Sequence, residues 1–154
     1  MTDPKTVVSF EEAKELAGRD LGYSEWIEIT QERVNTFADA TEDHQWIHVD
    51  PEKAKDGPFG APIAHGFLTL SLIIPMWSEL FDVEGVGTKV NYGLDKVRFT
   101  SPVKVGSRVR LHAVVREVQE VKGGGLHLVT DGTIEIEGEE RPGVVAVFLS
   151  RFYQ

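Results

Sequence analysis

The sequence contains no cysteine, and its 154 residues include only 16 Lys and Arg against 25 Asp and Glu. The lack of cysteine excludes disulfides, thiolate metal sites and cysteine nucleophiles. The net charge of −9 argues against nucleic acid or an anionic membrane as the main partner. The N-terminal residues lack a basic segment followed by a long apolar run, so we expect no export signal and a cytoplasmic protein.

The sequence also lacks an apolar run of the roughly 20 residues that a bilayer-spanning helix needs. The longest candidate, Ala64 to Trp77, is shorter and is interrupted by polar residues and Pro75. Residues 63–81 carry apolar side chains on every helical face, which predicts a buried core helix. Pro75 predicts a kink or break in it, because its ring conflicts with the carbonyl of Ser71.

Caps and periodicity predict four short elements before the core helix. They are a helix after the capping box Ser9–Glu12, a strand over Tyr23–Thr30, a helix over Gln31–Ala40 capped by Thr30, and a helix from Pro51 toward Lys55 capped by Asp50.

Past Gly85 the apolar period becomes two, which predicts antiparallel sheet. We expect a bulge within Gly93–Lys96 and a central strand over Val144–Leu149. The inward-facing sets are Val109, Leu111, Ala113 and Val115 on one strand and Leu126, Leu128, Thr130, Gly132, Ile134 and Ile136 on the next. A sheet wrapped around the core helix is an α+β architecture, which we expect to form one domain over residues 1–154.

The densest polar group lies between Asp43 and Asp50. Asp43 and His48, five residues apart in a predicted loop, can converge on one water. The alternatives are structural: Asp50 is explained as a cap, Asp43 can stabilise a turn, and His44 or His48 can be hydrogen-bonded structural residues. A metal site of His44, His48 and Asp50 is disfavoured, because the loop and Pro51 argue against a helical pair of histidines.

His65-Gly66 begins the predicted core helix. A helix N-terminus offers free N–H groups, and glycine lets a ligand approach the backbone, which suits a developing oxyanion. The alternative is that Gly66 only relieves crowding at a tight helix entry.

Phe37–Ala54, Phe59 and Ile63–Ser71 together closely resemble the hydratase motif of MaoC-like dehydratases, and Asn91–Phe99 and Pro102–Gly106 resemble that family's following strands. The family includes (R)-specific enoyl-CoA hydratases and nodulation protein N-like proteins. The resemblance implies a hot-dog fold, a long central helix wrapped by an antiparallel sheet. It also implies a homodimer with acyl-thioester sites near the subunit interface.

The resemblance places the catalytic aspartate on Asp43, the catalytic histidine on His48, and the glycine whose N–H faces the thioester oxygen on Gly66. We expect no metal and no cofactor, because the thioester of the expected substrate already activates the alkene. The expected substrate-binding residues are Gln45, Trp46, His65, Phe67 and Ser71. Glu42 and Gln45-Trp46 depart from the family's glycine and Asn-Pro, and Trp46 is expected to narrow the acyl pocket.

The expected reaction is syn addition of water to a trans-2-enoyl-CoA, giving an (R)-3-hydroxyacyl-CoA, with Asp43 favoured as the base. The rivals are a hot-dog acyl-CoA thioesterase and a non-catalytic acyl-thioester-binding protein. Four basic residues are expected to form a local basic set on the predicted strands, which either contacts the CoA phosphates or is a solvated face: Lys89, Lys96, Arg98 and Arg108.

Overall fold

The computed structural model describes residues 2–154, so Met1 of the predicted domain lies outside them. The elements follow in the order β1 (Thr6–Ser9), α1 (Phe10–Ala13), β2 (Asp20–Tyr23), β3 (Ile27–Glu28), α2 (Gln31–Thr41), α3 (Trp46–Val49), α4 (Pro51–Lys55), α5 (Gly66–Ser71), α6 (Ile73–Leu80), β4 (Phe81–Glu84), β5 (Thr88–Phe99), β6 (Arg108–Val121), β7 (Gly125–Ile136) and β8 (Val144–Tyr153). The predicted caps are confirmed: Ser9, Thr30 and Asp50 each accept a backbone N–H of the helix that follows.

The main sheet is antiparallel, in the strand order β2-β6-β7-β8-β5, with β3 pairing beside β2 on β6. Its inner face packs on α6, and the inward-facing sets predicted for β6 and β7 are buried. The central place of β8 and the bulge between Leu94 and Lys96 of β5 are also confirmed. A helix wrapped by an antiparallel sheet is the expected hot-dog fold.

The predicted continuous strand over Tyr23–Thr30 is wrong, because pairing stops at Ser24 and resumes at Ile27. Ser24 is buried, its N–H donates to the Leu111 carbonyl, and its hydroxyl accepts the Leu111 N–H at 2.9 Å. A side-chain oxygen thus replaces a strand carbonyl and ends the regular ladder. We did not predict the parallel pair of β1 and β4. It lies at the C-terminal end of the core helix, since β4 begins directly after α6.

The break in the core helix is confirmed, and it falls at Leu72 between α5 and α6. The break therefore lies about one turn before Pro75. This is the turn whose carbonyls the Pro75 ring and its missing N–H would disrupt in a continuous helix. The expectation that the helix is buried on all faces is wrong for the protomer: Phe67 is 70% and Ile74 39% exposed. Among residues 2–154 we find no helix with the length and apolar character to cross a membrane.

Candidate active site

The end of α2 places Asp43. Glu42 adopts the left-handed conformation at φ 60° and ψ 29°, and the Asp43 N–H donates to the Ala38 carbonyl at 3.1 Å. The Asp43 Oδ1 accepts the Gln45 N–H at 3.4 Å, a turn that leads into α3. The segment that we expected to be a loop therefore contains a one-turn helix, and this helix carries His48 back toward Asp43.

His48 is 7% exposed, and its Nδ1 lies 2.6 Å from the Ile63 carbonyl oxygen. A carbonyl only accepts, so Nδ1 carries the proton and the neutral ring has its lone pair on Nε2. Burial lowers the pKa of His48 below its ordinary value of 6.5, although the Ile63 hydrogen bond and the charge of Asp43 act in the opposite direction. The geometry therefore favours a neutral His48 that can accept a proton at Nε2.

The structure brings His65 into the same group. Its ring stacks on His48 with centroids 3.9 Å apart, and its Nε2 lies 3.0 Å from the Asp43 carbonyl oxygen. One side-chain nitrogen or oxygen from each of Asp43, His48 and His65 lies within 4.8 Å of the others. A water that donates to two acceptors holds them about 4.5 Å apart, so this spacing fits one shared water.

The same three residues are the set that could hold a metal ion. Two of their four ring nitrogens, His48 Nδ1 and His65 Nε2, already face carbonyl oxygens. The alternative metal set that includes His44 and Asp50 is not brought together, since His44 faces Asp39 at 2.8 Å and Asp50 caps α4.

Gly66 is the first residue of α5, with His65 as its N-cap. The first N–H groups of a helix have no acceptor within it, so the Gly66 N–H is free of the helix ladder. A Cβ at Gly66 would lie 3.0 Å from the Phe99 ring, so a larger residue here would have to displace that ring. A cavity of about 300 Å³ adjoins Gly66 and is bordered by Phe59 and Thr69.

The expected substrate-binding residues lie in different surroundings. The Nζ of Lys53 lies 4.8 Å from the centroid of the Trp46 ring. The ring also packs so close to Gly57 that a Cβ there would lie 2.8 Å from it. Phe67 is exposed and meets Phe99 edge-on at 6.0 Å. Ser71 borders a mainly apolar cavity of about 300 Å³ between the core helix and strands β5 and β8.

The four basic residues do not form one cluster, and that part of the prediction is wrong. Arg108 pairs with Glu137 on the β6 side of the sheet, and Lys89 pairs with Asp82. Two strands separate β6 from β5, the strand that carries Lys96 and Arg98.

Sequence reasoning missed two groups that hold His48. They are the Ile63 carbonyl at Nδ1 and the Gln31 amide, which donates to the His48 carbonyl at 2.8 Å. A contact to a backbone carbonyl leaves no signal in the sequence. The sequence indicates only that Gln31 begins a helix.

Comparison with known proteins identifies the family to which this fold belongs. The family model described as MaoC like domain matches residues 12–137. The chain belongs to the MaoC-like dehydratase family. It is 47% identical over 148 residues to 3-hydroxyacyl-thioester dehydratase Z of Mycobacterium tuberculosis, covering 96% of this chain and 98% of that protein.

Two further similarities support this family. Nodulation protein N of Rhizobium leguminosarum bv. viciae is 49% identical over 136 residues, covering 86% of this chain and 84% of that protein. The structure of the (R)-hydratase from A. caviae involved in PHA biosynthesis superimposes with a TM-score of 0.69 at 25% identity, covering 87% of this chain and 94% of that one. The proteins similar to this MaoC-like chain therefore include one named as a dehydratase and one named as a hydratase.

Proposed function

We propose that this MaoC-like dehydratase adds water reversibly to trans-2-enoyl-CoA thioesters, giving (R)-3-hydroxyacyl-CoA. The name of the mycobacterial relative, 3-hydroxyacyl-thioester dehydratase Z, supports the substrate class, and the (R)-hydratase structure supports the stereochemistry. Hydration and dehydration are the two directions of one equilibrium, so a single site serves both.

The observation that supports this reaction best is that a His48 ring nitrogen and an Asp43 carboxylate oxygen lie within 4.8 Å of each other, while the Ile63 carbonyl holds the His48 Nδ1–H and leaves the lone pair on Nε2. Two acceptors can each take one hydrogen of the same water and turn its oxygen lone pair toward the β-carbon of the substrate. Imidazole is the stronger base of the two, and the charge of Asp43 favours the protonated form of His48. We therefore assign the proton to His48 Nε2, in place of Asp43 favoured from sequence.

The water oxygen bonds to the β-carbon while the α,β π pair moves toward the thioester carbonyl and charge builds on its oxygen. His48 then returns the proton to the α-carbon on the same face, which gives syn addition and restores the neutral ring. The Gly66 N–H would stabilise the oxygen charge, a contribution whose loss typically costs about 100-fold in rate. The thioester itself activates the alkene.

The apolar cavity beside Ser71 is our candidate for the acyl chain. It lies at the C-terminal end of α5, the helix that begins at Gly66, so one helix would present both the carbonyl site and the chain site. Leu94 and Phe148 supply apolar walls, and Gly93 leaves space along β5. This cavity, rather than the surroundings of Trp46, would then set the accepted chain length.

The proposed functional unit is a homodimer. Among residues 2–154, β5 pairs with β8 and with no other strand, so its other edge is open along a 12-residue strand. Open edges of this length are normally covered in native proteins. The exposed large apolar residues of β5 and the core helix would be buried with it: Phe67, Ile74, Val90, Tyr92, Leu94 and Phe99.

The test is turnover of crotonyl-CoA followed by loss of enoyl-thioester absorbance, with separation of the products. We expect 3-hydroxybutyryl-CoA of the (R) configuration and no free thiol. Release of CoA thiol would instead identify a thioesterase, and saturable binding without turnover of enoyl-CoAs of any length would identify an acyl-thioester-binding protein.

A further inference from the structure

His65 contacts both proposed catalytic residues, the backbone of Asp43 and the ring of His48, and is 2% exposed. One face of its ring stacks on His48, with centroids 3.9 Å apart, and Phe37 packs against it at 4.8 Å. A ring enclosed in this way offers a substrate no surface. The placement of His65 therefore calls for an explanation other than the substrate contact that we expected.

The Nε2–H of His65 fixes the backbone of Asp43. It donates to the Asp43 carbonyl oxygen at 3.0 Å, and because a carbonyl only accepts, Nε2 carries the proton. The Asp43 N–H donates in turn to the Ala38 carbonyl at 3.1 Å. Both backbone polar groups of Asp43 are thus held, one by α2 and the other by His65.

The segment that carries His65 also fixes His48. Ile63 accepts the His48 Nδ1–H at 2.6 Å. The Ile63 N–H donates to the Ile47 carbonyl at 2.9 Å, and the Ala64 N–H donates to the Val103 carbonyl at 2.7 Å. Residues 63–65 therefore form an anchored segment that supplies one hydrogen bond to each member of the proposed pair.

We propose that His65 is a positioning residue, whose Nε2–H and ring face hold Asp43 and His48 at the separation at which one water serves both. This inference rests on the function proposed for that pair. His65 is 2% exposed, and it reaches Asp43 through its Nε2–H and His48 through its ring face.

Two substitutions separate these contributions. His65→Phe keeps a ring and removes the donor, whereas His65→Gln places an amide N–H the same number of bonds from Cβ and removes the ring. Misplacing a reacting group by about 1 Å costs on the order of 100-fold in rate. We expect His65→Phe to lower kcat by about 10- to 100-fold with KM within about threefold, and His65→Gln to recover kcat to within about tenfold of wild type.

Three kinetic outcomes would overturn the proposal. They are an unchanged kcat in His65→Phe, a change in KM alone, and a His65→Gln variant no more active than His65→Phe. Urea unfolding confirms that each variant is folded at the assay temperature. If His65→Phe does not fold, His65→Gln decides alone, and a kcat loss beyond about 100-fold contradicts the proposal.

A second readout does not depend on turnover. Long-range ¹H–¹⁵N NMR of the histidine rings reports which nitrogen of His48 carries the proton. Wild-type hydration tests the proposed function, whereas the NMR comparison tests positioning even if the wild type does not hydrate. We expect the His48 ring signals to shift more in His65→Gln, which removes the stacked ring, than in His65→Phe, which keeps a ring there, and unchanged signals in His65→Gln would overturn the inference.

Discussion

The Nδ1–H of His48 donates to the backbone carbonyl of Ile63 at 2.6 Å, across 15 residues of sequence. This bond fixes the tautomer of a buried ring and leaves Nε2 as the acceptor. The sequence predicted that the His48 side chain is catalytic. The backbone carbonyl of Ile63 determines which nitrogen of that ring can accept a proton.

This tautomer predicts the acid side of the pH profile. Protonation of Nε2 removes the acceptor, and burial lowers the pKa of His48 from its ordinary 6.5, so the active neutral form persists below pH 6.5. We expect kcat/KM to fall on the acid side in a limb that is set by the free enzyme and centred below pH 6.5. Measurement of kcat/KM across this range checks it, and a limb centred at or above 6.5 would contradict the assignment.

The backbone conformation at Glu42 suits the glycine that the family pattern has at this position. It occupies the left-handed region at φ 60°, where a residue with a Cβ is strained by about 1–2 kcal/mol and glycine is not. We expect Glu42→Gly to raise the free energy of unfolding by about 0.5–1 kcal/mol after the entropy cost of glycine. Urea unfolding measures this, with Glu32→Gly inside α2 as a matched control that should be destabilised by about 1 kcal/mol.

The sequence predicted elements whose signals are local. The capping residues Ser9 and Thr30 predicted where two helices begin, and the alternation of apolar residues predicted β6 and β7. Pro75 predicted a break in the core helix. Each of these signals acts within a few residues of the chain. The strand through Ser24 failed because a hydroxyl from one strand replaced a carbonyl toward Leu111, a contact between distant segments.

The candidate site shows the same division. The motif identified Asp43, His48 and Gly66, and the fold brings Asp43 and His48 together. The hydrogen bonds of Ile63 and His65 were not predictable, since they depend on how segment 63–65 packs beside α3. The basic set failed because Arg108 lies on β6, two strands away from β5, which carries the other three residues. Arg108 pairs with Glu137, and Lys89 pairs with Asp82.

The cavity beside Ser71 predicts chain-length selectivity. Ser71→Leu fills space between the core helix and β5, so a long acyl chain loses burial of about two methylene groups, roughly tenfold in kcat/KM. We expect this loss with octenoyl-CoA and little change with crotonyl-CoA. Ser78→Leu is the control, because Ser78 also bonds a carbonyl of its own helix but does not border the cavity.

The exposed apolar face predicts the oligomeric state. Leu94 is 44% exposed on the open strand β5, and a charge there would be buried in the proposed dimer. We expect the wild type to be a dimer by sedimentation equilibrium and Leu94→Lys to shift it toward monomer. A monomeric wild type would contradict the proposed dimer, and a dimer unaffected by this change and by Tyr92→Asp would place the interface elsewhere.

The most direct test of the account compares hydration by four variants in matched pairs. His48→Gln and Asp43→Asn remove the proposed acceptors, whereas His44→Gln and Asp39→Asn alter the neighbouring exposed pair that is 2.8 Å apart. General acid–base groups typically contribute 100-fold or more, so we predict that the first pair loses at least about 100-fold in kcat with crotonyl-CoA and the second stays within about threefold. Near-wild-type kcat in folded His48→Gln or Asp43→Asn would contradict the account.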